Sequence, residues 1–209
     1  RSWNPFFFES TADKKHGYKE IVSKRFEQLV FLLAIPGILV VIFSEDIINI
    51  FGGNQFILAK YIIPIYVFTY FFHLTDFLSS NQIISSEKLT YLLPSAFIGG
   101  IASIALNLIL ISRYGALGAA LAASLHFLIG HLINLYFGNK LIPFPVNKIK
   151  ILSFFFILFI ISIVTYFLID SELNSLIKLT IKILSSTFLI ILTLIYSELN
   201  FKSIKSLFR

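Results

Sequence analysis

Hydrophobic residues in this chain lie in long runs that are separated by short polar clusters. A helix needs about 20 consecutive apolar residues to cross the hydrocarbon layer of a membrane, which is roughly 30 Å thick. Runs near this length predict six full membrane spans, at residues 29–43 with some N-terminal extension, 61–80, 91–111, 115–137, 151–169 and 176–196. Because the connections between the runs are short, we expect neighbouring spans to be antiparallel and to pack side by side.

The composition indicates a membrane protein and excludes an ordinary soluble one. Hydrophobic residues make up 57% of the 209 residues and charged residues 13%, whereas soluble domains have roughly 45–50% and about 25%. Most of the surface must then face lipid, so the predicted fold class is all-α, a polytopic bundle of transmembrane helices. Cysteine is absent, which excludes disulfides, thiolate metal sites and a cysteine nucleophile.

Positive charges are distributed unevenly between the two sides of the predicted bundle. Short cytoplasmic loops carry an excess of Lys and Arg. Twelve such residues precede the first span or follow the second, fourth and sixth spans. Three lie on the opposite side: Lys60, Arg113 and Lys178. This difference places residues 9–28 and the C-terminus in the cytoplasm. The basic residues are dispersed among the loops, so no nucleic-acid partner is expected.

Both ends of the chain differ from the predicted six-helix bundle at 29–196. The chain contains no methionine and opens inside a hydrophobic segment. We therefore expect residues 1–8 to be the end of a preceding transmembrane helix, and the chain to be a fragment of a longer polypeptide. Residues 9–28 carry charges of both signs and apolar residues at helical spacing, which favours a cytoplasmic amphipathic helix at the membrane interface. A solvated connector is the alternative. Residues 197–209 are predicted to be a cytoplasmic tail.

The common catalytic and cofactor motifs are absent from the sequence. It contains no glycine-rich phosphate loop followed by Lys-Ser/Thr and no Gly-x-Ser-x-Gly elbow. His126 and His131 are five residues apart, which separates them by about 140° around a helix, whereas zinc-binding pairs at i, i+4 share a face. We therefore expect no enzymatic activity, no cofactor and no metal site.

Two ionisable residues lie inside the second predicted span. A charged side chain at a helix centre costs about 2.5–3.5 kcal/mol on insertion scales, so such residues are functional candidates. His73 and Asp76 are three residues apart, so they share a helical face and could share a proton, or the carboxylate could coordinate a cation. Structural hydrogen bonding between helices is the alternative. Asn81 and Gln82 extend the polar seam toward the cytoplasm.

Further polar residues lie in the third and fourth predicted spans. His126 and Asn134 lie on one stripe of the fourth span, and His131 and Asn134 on the adjacent one. This pattern suggests a face turned to water or to a polar ligand, which Asn107 of the third span could join. For Asn107, an interhelical hydrogen bond is the alternative.

Small residues at four-residue spacing are concentrated in the same two spans, as in the pairs Gly99–Ser103 and Gly115–Ala119. Such spacing lets helix backbones approach closely, so we expect close packing here. In a transporter, the same smooth face could also let helices slide or rock against each other.

Four stretches of the chain resemble a known family of transporters. The most specific is Arg-Tyr-Gly-Ala-Leu-Gly-Ala-Ala-Leu-Ala-Ala-Ser at 113–124, which follows Asn-Leu-Ile-Leu-Ile at 107–111. The others are the segment 51–65, which opens with Phe-Gly-Gly, and the initial Trp3-x-Pro5. These residues resemble the C-terminal half of Wzx-type oligosaccharide flippases, whose superfamily includes the MATE-type multidrug exporters. The resemblance covers nearly the whole chain.

The resemblance implies both a fold and a function. Proteins of this superfamily have two similar helical bundles around a cavity, so the chain would be the second bundle, and its partner the missing N-terminal bundle. The implied activity is ion-gradient-coupled movement of a polyprenyl-diphosphate-linked oligosaccharide across the bacterial inner membrane, for O-antigen or other surface polysaccharide. A polysaccharide polymerase and glycosyltransferases would be further partners. A MATE-type drug or metabolite exporter and a non-transporting scaffold are the alternatives.

A lipid-linked diphosphate would need cationic partners near the cavity. Four basic residues at predicted span ends are candidates: Lys24, Arg25, Lys60 and Lys88. Ordinary anchoring at the membrane interface is the competing explanation for each of them. The main diphosphate-binding residues are expected in the missing bundle.

Overall fold

The structure, a computed structural model, describes residues 3–13, 16–56, 58–171 and 173–197. Every regular element in this part of the chain is helical, as predicted. The helices are α1 (Trp3–Asp13), α2 (Tyr18–Ile42), α3 (Ser44–Phe51), α4 (Ala59–Ser85), α5 (Leu93–Leu141), α6 (Lys148–Asp170) and α7 (Ser175–Ser197), with short 3-10 turns at Asn54–Phe56 and Leu89–Leu92. Long helices suit the apolar runs because a helix satisfies its own backbone polar groups, which hydrocarbon cannot do.

Helix α5 turns back on itself at Gly115. This residue has φ 56° and ψ −130°, a conformation that glycine adopts readily because it has no Cβ. A Cβ added to Gly118 would lie 1.9 Å from the carbonyl oxygen of Leu110, so the backbones touch beside the turn. Further along, the rings of Tyr91 and Phe137 are 5.0 Å apart. Two antiparallel arms result, the first arm before Gly115 and the second arm after it.

Four helical segments in the described part of the chain are long and apolar enough to cross a membrane: Tyr18–Ile42, Ala59–Ser85, Leu89–Leu141 and Ser175–Ser197. This confirms the coarser prediction, an all-helical protein compatible with membrane insertion. The third segment contains both arms of α5 and therefore covers two predicted spans. Helix α6 covers the fifth predicted span. Six full spans remain a prediction.

Helix α2 is central to the bundle. It contacts α1, α3, α4, α6 and α7, and its Phe26 and Phe31 side chains are almost completely buried. Phe31 packs edge-on against Phe154 of α6, with ring centroids 4.8 Å apart. By contrast, the first arm of α5 turns a row of large apolar side chains outward: Phe97, Ile101, Ile104 and Leu108. Such a row is typical of a helix whose outer face meets lipid.

The N-terminal boundaries differ from the predicted ones. Helix α1 continues past residue 8 to Asp13, and Gly17, with φ 79°, separates it from α2. Residues 18–28 are the first turns of α2, with no break before the first predicted span, because Val22 and Phe26 pack into the same core as the rest of α2. The predicted tail lies outside the described residues except for Ser197, which ends α7.

A cluster of four charged side chains joins α3, α4 and α7 at one end of the bundle. Lys182 of α7, whose side chain is 4% exposed, places its Nζ 2.6 Å from Asp46 Oδ2 and 3.3 Å from Glu45 Oε2. Lys60 of α4 lies 3.7 Å from the other oxygen of Glu45. We call these residues the charge cluster. It compensates a cation that would otherwise be buried alone, which is strongly unfavourable.

Candidate functional site

Helix α4 and the second arm of α5 meet along a row of polar side chains, which we call the polar ladder. It has four levels: Thr69 with Ser124, Thr75 with His131, Asp76 with Asn134, and Gln82 with the carbonyl of Ile142, the residue after α5. The sequence separation within these pairs stays between 55 and 60 residues. A nearly constant separation means that the two helices are parallel, so the second and fourth predicted spans are direct neighbours.

The positions on α5 recur every seven residues. Ser124, His131 and Gly138 all face α4. A seven-residue period is typical of helices that pack at a small angle. Gly138 allows the closest approach: a Cβ there would lie 2.6 Å from Gln82 Oε1 and 2.9 Å from the carbonyl oxygen of Ser79. The Gln82 side chain is therefore held between helices, where its Nε2 donates to Ile142 at 2.7 Å.

Asp76 lies at the centre of the polar ladder. The side-chain amide of Asn134 donates to both of its oxygens, at 3.1 and 3.2 Å, and the Ser80 hydroxyl donates to Oδ2 at 2.8 Å. His131 Nδ1 lies 3.6 Å from Oδ1. The Asp76 side chain is 22% exposed and that of His131 12%. This arrangement surrounds an ionised carboxylate with donors, which suits a charge held inside an apolar bundle.

Two polar atoms at this centre lack a hydrogen bond within the part of the chain that the structure describes. These are His131 Nδ1 and the side-chain oxygen of Asn134, and both atoms are buried. Purely structural polar pairs normally satisfy their buried atoms. These two atoms, like Gln82 Oε1 at the fourth level of the ladder, can therefore form further hydrogen bonds.

His73 lies apart from this centre. Its side chain is exposed, and its ring contacts those of Phe77 and Phe127, with centroids 5.3 and 5.4 Å apart. Among the described hydrogen bonds and ion pairs of Asp76, the histidine partner is His131 and not His73. The structure thus pairs Asp76 with His131 of the neighbouring helix, whereas His73 lies at the exposed edge of the same interface, against Phe127.

His126 and Asn107 make structural contacts within α5. His126 Nδ1 lies 2.9 Å from the carbonyl oxygen of Gly99 and links the two arms. Asn107 donates to the carbonyl of Ser103 in its own arm, at 2.8 Å. Of the predicted cavity residues, the structure therefore brings Asp76, His131 and Asn134 together, but not these two.

The four candidate diphosphate contacts are dispersed. Arg25 stacks its guanidinium over the Phe6 ring at 4.3 Å, Lys60 belongs to the charge cluster, and Lys24 and Lys88 are exposed. Lys60 and Lys88 flank opposite ends of α4, which is roughly 40 Å long at 1.5 Å per residue. One diphosphate group cannot contact both.

Two cavities lie between α4, α5 and α6. The larger, of about 710 Å³, is walled mainly by apolar side chains and includes Lys60 and Ser124. The smaller, of about 270 Å³, is bordered by Thr75, His131 and Lys148. Phe72 and Leu128 line both cavities, and Phe72 is stacked on Phe155 of α6 with centroids 5.6 Å apart. Ser124 therefore borders the larger cavity, and Thr75, His131 and Gln82 border the smaller one.

Four contributors to the site were not identified as candidates from the sequence: Thr69, Thr75, Ser80 and Ser124. Ser80 and Thr75 look like ordinary hydroxyl residues of an apolar helix, and their role depends on which face of α4 meets α5. The available signals were the i, i+4 spacing of Asp76 and Ser80 and the seven-residue recurrence of Ser124, His131 and Gly138. The described residues contain no group of three or more His, Cys, Asp and Glu side chains able to hold a metal ion.

Comparison of the chain with known family models, with curated proteins and with solved structures gives no match.

Proposed function

We propose that this chain is the second helical bundle of a six-span-per-bundle exporter that moves a polyprenyl-diphosphate-linked oligosaccharide across a bacterial inner membrane, driven by an ion gradient. In this proposal, the end of the bundle that contains Lys148 and Lys150 faces the cytoplasm. The substrate class comes from the sequence resemblance, and the ion coupling from the polar ladder.

The observation that carries the proposal is the incompletely satisfied centre of the polar ladder. Asp76, His131 and Asn134 lie in the interior of membrane-spanning helices, and two of their buried atoms have no hydrogen bond among the described residues. Ionisable groups inside a membrane are expensive and usually serve an ion path or a counter-ion. A transporter needs such a group to bind an ion in one conformation and release it in another.

The segment that carries the family resemblance has a structural explanation. In Arg-Tyr-Gly-Ala-Leu-Gly-Ala-Ala, the first glycine is Gly115, which reverses α5, and the second is Gly118, which touches the backbone of Leu110. Gly115 has a positive φ that residues with a Cβ disfavour, and Gly118 has no room for a Cβ. The motif therefore specifies a tight helical hairpin.

The larger cavity suits a lipid-linked substrate. Its volume of about 710 Å³ lies within the roughly 300–1,000 Å³ of typical ligand pockets. Its apolar wall could shelter part of a hydrocarbon chain, while the diphosphate and sugars need a polar environment that this chain offers only in part. The first bundle would supply the rest.

Complementation tests the function. The full gene that encodes the chain is expressed in a strain that lacks its own oligosaccharide flippase and makes a matching repeat unit. We expect surface polysaccharide to return. Failure despite correct membrane insertion contradicts the proposal, and gain of drug resistance instead supports a MATE-type exporter.

Asp76→Asn, which keeps the shape of the side chain and removes its charge, should impair export at unchanged membrane abundance. The matched control is Glu87→Gln, an exposed carboxylate in the turn after α4, and it should export normally. Equal export by both variants would reduce the centre of the ladder to a structural contact.

A further inference from the structure

The two ring nitrogens of His131 face partners with different hydrogen-bonding abilities. Nδ1 lies 3.6 Å from Asp76 Oδ1, and Nε2 lies 3.4 Å from the hydroxyl oxygen of Thr75. An ionised carboxylate only accepts hydrogen bonds, whereas a hydroxyl group donates or accepts. These partners restrict where the ring carries its protons.

The Asp76 side favours a proton on Nδ1. Asn134 and Ser80 already donate to this carboxylate at 2.8 to 3.2 Å, as suits its ionised form. A bare Nδ1 would then turn a lone pair toward an anion, so that two buried acceptors faced each other without a donor. A proton on Nδ1 replaces that repulsion with an attraction between N–H and carboxylate.

The Thr75 side accommodates either state of Nε2. The Thr75 hydroxyl lies 3.0 Å from the carbonyl oxygens of Phe71 and Phe72. A protonated Nε2 can donate to Thr75, whose hydroxyl then donates to one of these carbonyls. A bare Nε2 can instead accept from the same hydroxyl after it rotates. Rotation of one O–H bond thus keeps Nε2 partnered in both states.

We propose that His131 is a proton-binding site: the ring keeps Nδ1–H directed at Asp76 and takes up or releases one proton at Nε2. The role of this proton rests on the proposed transport function, for which it identifies the coupling ion. Water supplies and accepts the proton, so the site gains one positive charge when loaded. The loaded imidazolium and the Asp76 carboxylate then attract each other across the interface between α4 and α5. Proton loading therefore strengthens that interface.

Few charged groups surround the ring. Among the described residues, Asp76 contributes from α4, and Lys148 at the start of α6 lines the same cavity of about 270 Å³. The other side chains that α2 and α6 add to that cavity, such as Phe26 and Phe155, do not titrate. The cavity borders both Thr75 and His131, so it offers water a route to Nε2.

Nitrogen-15 NMR of the full-length protein, with labelled histidine and in lipid nanodiscs, tests the proposal, because each ring nitrogen reports whether it carries a proton. The signals that disappear in His131→Gln identify His131. We expect the Nδ1–H tautomer at high pH and the imidazolium at low pH. His126 is the internal reference, since its Nδ1 faces the Gly99 carbonyl and must carry hydrogen. A neutral His131 protonated on Nε2, or one that never titrates, would overturn the proposal.

Variants at the two partners sharpen the test. Asp76→Asn removes the anion that Nδ1–H faces, so the preference of the neutral ring for the Nδ1–H tautomer should be lost. Thr75→Val removes the hydroxyl that partners Nε2 in both states, whereas Thr75→Ser keeps a hydroxyl and should leave the tautomer unchanged. An unchanged tautomer in Asp76→Asn, or a changed one in Thr75→Ser, would contradict the proposal. The His126 signals report whether each variant is folded.

These spectra need no transport, so the proton site and the transport function fail separately. If His131 titrates as expected but the full-length protein moves no oligosaccharide, the proton site stands and the substrate assignment falls. If oligosaccharide moves while His131 stays protonated on Nε2 alone, the proton site falls and the transport function stands.

Discussion

Replacing Lys182 with methionine should destabilise the bundle by about 3 kcal/mol. The side chain is 4% exposed and contacts Asp46 at 2.6 Å and Glu45 at 3.3 Å. Removing one partner of a buried ion pair costs about 3–5 kcal/mol because the other charge is left uncompensated. The low end applies here, since Asp46 is 41% exposed to water and Glu45 keeps Lys60 at 3.7 Å.

Unfolding by SDS in mixed micelles measures this loss. The chain has one tryptophan, Trp3, whose ring packs 5.4 Å from that of Phe26 in the core, so its fluorescence reports unfolding. Lys88→Met, at an exposed position, is the control and should change stability by less than about 0.5 kcal/mol.

A double variant tests the reasoning behind the magnitude. Lys182→Met combined with Asp46→Leu removes the closest uncompensated charge, so it should be more stable than Lys182→Met alone. A loss below about 1 kcal/mol in the single variant, or strictly additive losses in the double variant, would refute the assignment of a coupled buried pair.

Two further predictions concern the packing of α5. Gly118→Val should lower the amount of folded protein in fluorescence-detected size-exclusion chromatography, because its Cβ would overlap the carbonyl of Leu110; Gly100→Val, with open space around its Cβ, is the control and should be tolerated. Cysteines introduced at Thr69 and Ser124, which are in hydrogen-bond contact, should form a disulfide on mild oxidation of this cysteine-free chain. No cross-link would contradict the parallel packing of α4 and the second arm.

The sequence predicts the helices well because length and apolarity alone decide them. Each predicted span coincides, to within about two residues, with part of one helix or one arm of α5, and the polar cluster at 112–114 lies directly before the reversal at Gly115. At the N-terminus, the charges and apolar spacing of residues 9–28 are compatible with an amphipathic helix leading into the first span or with a solvated connector. Residues 18–28 are the first turns of α2, where Val22 and Phe26 pack into the core.

The pairing of polar residues was harder to predict. In a soluble helix the apolar stripe identifies the buried face, but a membrane helix is apolar all round, so its hydrophobic pattern does not show which face meets a neighbour. Asp76 could therefore be paired with His73 by spacing, although the structure pairs it with His131. Likewise, Lys182 meets Asp46 at a separation of 136 residues, which no local pattern reveals.

The contacts of each polar residue separate structural roles from candidate functional ones. Asn107 and His126 bond to backbone carbonyls of α5, so removing them should cost stability alone. Thr69 and Ser124 form a hydrogen bond between two helices, which is a common structural contact in membrane proteins. At Asp76 and His131, by contrast, a carboxylate and a ring nitrogen face each other with room for a proton between them. Because this pair joins two parallel helices at mid-length, a change in its charge acts on the whole interface between α4 and α5. In the proposed transport function, the centre of the ladder is therefore the place where binding of one small ion would act on the packing of α4 against α5.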